Sequence, residues 1–287
     1  MDHIRVKACG KINIALDVTG VRSDGYHLVR MVMQTVGISD DVTVKKAGPG
    51  IVLKVDDPQL PADRSNLAWK AAEKMLPYLP SDAGVSIDIV KRIPKAAGMA
   101  GGSADAAAVI NAVNELYSLD LAQEELDRIA VGIGADVPFC LRRGTYLSEG
   151  IGEVLTKLDD MPAAAVLVVN PGFDVSTKQV YESLDNINTP SHPDIDGTLA
   201  AIKTGDLGAV CLKMGNILED VTAAEYPQIN AIKAEMDRLG SLKSLMTGSG
   251  PTVFGLFNDE GAACRALEYF KDKDVDMNCF LTGFIRG

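Results

Sequence analysis

Apolar and polar positions alternate from Ile12 to Thr19 and again from Asp41 to Lys45, while β-branched runs fill Ile51 to Val55 and Val85 to Val90. A period of two puts successive side chains on opposite faces of a strand, so the first half predicts a sheet. Between these runs the apolar spacing widens to helical: Leu67 to Leu76 follows Ser65 as N-cap and is stopped by Pro77 and Pro80, and Ala104 to Tyr117 and Glu124 to Val131 predict two more helices.

After Pro162 the pattern restarts with a strand from Ala165 to Val169 and helices over Ser176 to Leu184, Asp194 to Lys203 and Tyr226 to Leu239. It closes on strands at Ser244 to Thr247 and Thr252 to Phe257, a helix over Glu260 to Phe270 and an extended piece from Met277 to Phe284. Strands and helices without a regular βαβ alternation indicate an α+β fold. Asp159 and Asp160 break the apolar pattern, which sets the expected boundary between an N-terminal domain of residues 1–158 and a C-terminal domain of 159–287. No internal repeat or low-complexity stretch interrupts either.

Composition narrows the function classes. The net charge of −11 repels a phosphate backbone over most of the surface, which disfavours nucleic acid as a partner but leaves room for a local pocket that takes one nucleotide. Cys9, Cys140, Cys211, Cys264 and Cys279 are odd in number and never spaced C-x-x-C, so they suggest neither a disulfide framework nor a zinc site and suit a reducing cytoplasm. The longest continuous apolar run, Ala163 to Val169, falls far short of the ~20 residues of a membrane span, and neither export nor membrane insertion is expected.

Pro94-Lys95-Ala96-Ala97-Gly98-Met99-Ala100-Gly101-Gly102-Ser103-Ala104 carries the clearest chemistry. Small residues let a ligand approach the backbone, and a helix starting at Ser103 would aim its unpaired N–H groups and partial positive charge back at the loop. That combination is an anion site, yet it is neither G-x-x-x-x-G-K-[ST] nor G-x-G-x-x-G. Lys11, at the start of the first strand, and Asp136, in a tight Gly134-Ala-Asp-Val-Pro138 link between a helix and an extended segment, would each be unremarkable alone. With the loop they supply a cradle, a neutralising charge and an acceptor for a hydroxyl proton, the parts that phosphoryl transfer to an alcohol needs. Asp24-Gly25 suits a type I′ hairpin turn, which leaves Tyr26 and His27 unexplained, and Thr247 to Pro251 reads as a hairpin loop or a pocket wall.

These motifs, in this order, resemble the superfamily of galactokinase, homoserine kinase, mevalonate kinase and phosphomevalonate kinase, over nearly the whole chain. Lys11-Ile-Asn13, Gly20 to His27, Gly134 to Pro138 and Gly150-Ile-Gly-Glu153 match most closely the member that phosphorylates a cytidine diphosphate-linked polyol in the non-mevalonate route to isoprenoid precursors. The resemblance implies a two-lobed small-molecule kinase with its active site in the cleft between lobes, using ATP and Mg2+. It implies that Asp136 takes the substrate's proton beside Lys11, that Pro94 to Ala104 wraps the ATP phosphates with Ser103 near the metal, and that Asn66 helps hold the nucleotide.

It further implies that Asn13, Tyr26, His27 and Lys91 hold the cytidine diphosphate end and that Tyr181 stacks on the cytosine. A homodimer is compatible with the family. Other acceptors of the superfamily, homoserine or mevalonate, and a catalytically silent nucleotide-binding scaffold are the alternatives. Two positions depart from the family's loop: Ala100, often Gly, whose methyl is expected to require a negative φ, and Ala104, often Ser, which loses one phosphate hydrogen bond. Beyond Ser103 and the acidic Asp105 behind it, the loop offers no obvious magnesium ligand.

Overall fold

The computed structural model describes residues 2–273 and 276–287. In chain order the elements are β1 (His3–Val21), β2 (His27–Ala47), β3 (Gly50–Val55), α1 (Leu67–Met75), β4 (Gly84–Val90), α2 (Gly101–Leu116), α3 (Gln123–Val131) and α4 (Val137–Arg142). There follow β5 (Thr145–Glu149), β6 (Val154–Lys157), β7 (Ala165–Asn170), α5 (Thr177–Leu184), α6 (Ile195–Thr204), α7 (Leu207–Lys213), β8 (Gly215–Asn216), α8 (Glu219–Glu225), α9 (Gln228–Arg238), β9 (Lys243–Met246), β10 (Val253–Phe257), α10 (Glu260–Lys273) and β11 (Asn278–Gly283). This is an α+β chain, as its patterning predicted.

It forms two compact units from interleaved segments: Met1–Gly10, Ile38–Ile93 and Ala100–Arg142 in the first, Lys11–Gly37, Pro94–Met99 and Arg143–Gly287 in the second. The boundary anticipated near residue 158 lies within the last segment of the second unit. No helix among the described residues is long and apolar enough to cross a membrane.

In the first unit β4 lies between β3, which it pairs in parallel, and the C-terminal part of β2, which it pairs antiparallel from Asp41↔Val90 to Ala47↔Gly84. The alternation in Val85, Ile87 and Ile89 sends these three side chains into the core, where each is at most 2% exposed. Helices α1 and α2 pack together, and their buried residues are rich in alanine, with Ala68, Ala71 and Ala72 on one and Ala104, Ala106, Ala107, Ala108 and Ala112 on the other. Alanine loses no rotamer freedom in a helix and lets two backbones approach closely, so one composition serves both ends.

In the second unit a four-stranded antiparallel sheet runs β11-β7-β10-β9, with α9 and α10 against it. Val166, Leu167, Val168 and Val169 on β7 are all fully buried, which explains an apolar run without alternation: both faces of this inner strand are covered. The N-terminal part of β2 pairs with β5, and β1 pairs in parallel with the short β8 at Ala15↔Gly215 and Leu16↔Asn216.

Three local expectations are corrected and one is borne out. Asn66, not Ser65, caps α1, its Oδ1 accepting from Ala68 N at 2.9 Å, while the Ser65 hydroxyl turns to Asp63. The helix expected from Tyr226 to Leu239 is α9, with Pro227 at its N-cap position, and α8 ends just before it. Asp136 leads into the one-and-a-half-turn helix α4 and not into an extended segment, since Pro138 falls in a first turn, where its missing N–H costs nothing. The Asp24-Gly25 turn does join β1 to β2, but only Gly25 of the pair is at positive φ, 86°, so it is not type I′.

Candidate active site

Helix α2 begins at Gly101 and not at Ser103 as expected, with Ala100 in the N-cap position at φ 57° and ψ 33°. The expectation that Ala100 keeps a negative φ is therefore also corrected. The left-handed region costs an alanine about 1–2 kcal/mol but does not exclude it, and the Ala104 N–H donating to the Ala100 carbonyl at 2.9 Å holds it there. Ala96 is likewise left-handed, at φ 49°.

The glycines of the loop are tightly enclosed. A Cβ on Gly98 would lie 2.2 Å from the Thr247 carbonyl, and one on Gly101 would lie 3.1 Å from Ile93. The amides of Gly101, Gly102 and Ser103 head a sixteen-residue helix and have no acceptor within it, so the stretch suits an anion of polyphosphate size. Among the other loop residues Lys95 and Ala96 are exposed, Pro94 is half-buried, and Ala97 and Met99 are buried, fixing the run to the core of the second unit.

Behind the start of α2 lies a buried ion cluster. Lys91 Nζ donates to Asp40 at 2.5 Å and to Asp105 at 2.7 Å, beside Gly101, whose Cβ position is 3.5 Å away. Asp40 also accepts the Arg92 and Ile93 amides at 2.5 and 2.8 Å. Burial, and then the charge of Asp40, push the Asp105 carboxyl up to about 7 against the pull of Lys91, and its Oδ1 has no hydrogen-bond partner among the described residues. The Lys91 ammonium loses from burial but gains more from Asp105 and Asp40, and its pKa is raised.

In the second unit Lys11, 5% exposed, donates to Asn13 Oδ1 at 2.7 Å and to the Gly98 carbonyl at 2.8 Å. The Lys11 amide meets the Met99 carbonyl at 3.1 Å, tying β1 to the loop. Gly248 stands on the far side, where a Cβ would come within 3.5 Å of Lys11 Nζ. Asn216, which the sequence pattern did not single out, donates from Nδ2 to the carbonyls of Met246 and Gly248, both at 2.8 Å, and so anchors the glycine loop Thr247 to Pro251.

Also in this unit, His27 Nε2 bonds Asp185 at 2.9 Å and its ring lies 4.7 Å from that of Tyr181, while Tyr26 is 60% exposed. The expected residues thus assemble in groups: Lys11, Asn13 and Gly98; His27 and Tyr181; Lys91 with Gly101. Asn66 is engaged in capping α1 and in donating to the Pro61 carbonyl at 2.8 Å, and half-buried Asp136 precedes α4.

Residues 66–144 match the family described as GHMP kinases N terminal domain, and residues 198–276 match GHMP kinases C terminal. The 4-diphosphocytidyl-2-C-methyl-D-erythritol kinase of Lachnospira eligens is 48% identical over 283 residues, which are 98% of each chain. The chain belongs to this family of GHMP kinases. The enzyme of the same name from Acetivibrio thermocellus is 47% identical over 98% of this chain and 99% of its own.

A crystal structure of 4-(cytidine 5'-diphospho)-2C-methyl-D-erythritol kinase superposes with a TM-score of 0.84 at 30% identity, covering 99% of this chain and 100% of that one. The homoserine kinase of Cytophaga hutchinsonii, at 20% identity and a TM-score of 0.75 over 100% and 95% of the chains, shares the two-domain fold. The chain is an ATP-dependent kinase of this fold.

Proposed function

We propose that this kinase transfers the terminal phosphoryl group of ATP to a hydroxyl of 4-diphosphocytidyl-2-C-methyl-D-erythritol, giving the 2-phosphate and ADP. The observation that carries the reading is the 48% identity over 98% of both chains to a relative of that name. Transfer to an alcohol asks little covalent chemistry of a protein and much positioning and charge stabilisation. In this reading Asp136 accepts the hydroxyl proton and Lys11, whose ammonium donates to Asn13 and to the Gly98 carbonyl, stabilises the charge on the phosphoryl oxygens.

Residues 94–104 hold the nucleotide phosphates through backbone amides, with Asn66 alongside. Asn13, Tyr26, His27, Lys91 and Tyr181 hold the cytidine diphosphate end. Magnesium carried by the nucleotide would keep several waters and take one or two protein oxygens, and in this reading the Ser103 hydroxyl, on the first turn of α2, is one of them. When bound with the nucleotide, the metal neutralises phosphate charge. The reading sets the protein in the cytoplasm, as five unbridged cysteines suit, working alone or as a homodimer.

The test is ADP release from ATP and magnesium with 4-diphosphocytidyl-2-C-methyl-D-erythritol, homoserine or mevalonate as acceptor. Release with the first alone is expected. Release with homoserine or mevalonate in its place overturns the specificity, and nucleotide binding without turnover of any acceptor overturns the enzyme reading.

A further inference from the structure

Two oxygens that accept from the Lys11 ammonium lie beside one other side chain. Thr247, fully buried, accepts the Asn13 amide on Oγ1 at 3.0 Å, and the same Oγ1 lies 3.4 Å from Asn13 Oδ1 and 3.5 Å from the Gly98 carbonyl. These are the two oxygens to which Lys11 Nζ donates at 2.7 and 2.8 Å. A hydroxyl has one proton to give and can accept while giving it, so Thr247 takes the strand amide and offers its proton to whichever of the two oxygens Lys11 loads less.

We propose that Thr247 is a positioning residue for phosphoryl transfer: its hydroxyl holds the Asn13 amide and packs against Asn13 Oδ1 and the Gly98 carbonyl, and these two oxygens, kept in place, aim the Lys11 ammonium. Thr247 is itself immobilised, its amide donating to the Thr252 carbonyl at 2.9 Å and its carbonyl accepting from Gly250 N at 3.1 Å, with Asn216 holding the residues on either side of it. An ammonium that bonds in any direction gains its orientation only from acceptors that do not move. The inference rests on the reading of Lys11 as catalytic.

Replacing Thr247 by valine keeps the shape and removes the hydroxyl, and Thr247→Ser keeps the hydroxyl. Turnover and KM are measured for wild type, T247V, T247S, K11A and K11A/T247V in the full chain. Thr247→Val is expected to lower kcat by about tenfold with both KM values within about twofold, and T247S to recover most of that turnover. In the K11A background T247V should change kcat by less than about twofold, because a residue that acts through Lys11 has nothing left to act on.

An equal loss in both backgrounds, or no loss in the first, overturns the proposal. Wild-type turnover in K11A overturns it too, and separately identifies the reading of Lys11 as the failure. Should T247V fail to fold, T247A serves in the same cycle with the same outcomes.

Discussion

Asparagine at position 105 should make the stability of this fold rise relative to wild type as the pH rises. Asp105 is 4% exposed, its Oδ2 takes the Lys91 ammonium at 2.7 Å, its Oδ1 has no partner among the described residues, and Asp40 competes for the same ammonium. Burial first, then Asp40, raise its pKa from the ordinary 3.8 to about 7. A folded pKa above the unfolded one means the native chain holds the proton more tightly. The associated stability is complete below about pH 4 and is lost as the pH climbs through about 7.

The slope in that window is the one-proton slope, so wild type should lose roughly 2–3 kcal/mol between about pH 5 and pH 8 that Asp105→Asn does not. Asparagine keeps an acceptor for Lys91 and has no proton to lose, and any constant cost of the substitution cancels in the difference. Urea unfolding of both proteins across that range measures it. A difference flat to within about 0.5 kcal/mol would refute the reasoning and show that Lys91 keeps Asp105 ionised throughout.

Other perturbations test the site. Asp136→Asn should lower kcat by about 10²–10⁴-fold with ATP affinity nearly unchanged, and near-wild-type turnover would remove Asp136 from the role of base. Ala100→Gly relieves a left-handed alanine worth about 1–2 kcal/mol at an unfolded-state cost of about 0.5–1, so the melting temperature should rise by about 1–3 °C; a fall would show that the methyl contributes packing. Tyr181→Leu removes the ring beside His27 and should raise the acceptor's KM by about fivefold or more without moving that of ATP, whereas an unchanged acceptor KM would place the cytosine elsewhere.

What was legible in the sequence depended on how far apart the cooperating residues lie. The loop from Pro94 to Ala104 announces itself because its chemistry is backbone chemistry: a short run of small residues before an alanine-rich helix suffices, and the helix is there, two residues earlier than expected. The strand and helix periods were equally local. Short elements were harder, since α4 and α7 span six and seven residues, fewer than two full periods of a helix each.

The conformation of Ala100 was misjudged for a different reason. Sequence reports the price of a backbone angle but not whether neighbouring bonds meet it, and here the first hydrogen bond of α2 holds the strained residue in place.

The partners that hold the site's charged groups were not legible, because they are assembled across the chain. Lys91 reaches 51 residues back to Asp40 and 14 forward to Asp105, and neither spacing corresponds to a helical or strand period. Lys11 is held from residues 13 and 98, which are themselves held from Thr247, 234 and 149 residues away, while Asn216 anchors that loop from 30 and 32 residues off. A lysine in a strand reads as a solvated side chain until the fold supplies the oxygens that bury it. The same logic explains why motif order was informative where single motifs were not. Each motif is an ordinary turn or strand end on its own, and only a fold that buries Lys11 against Gly98 and Thr247 gives reason to keep all three in one chain.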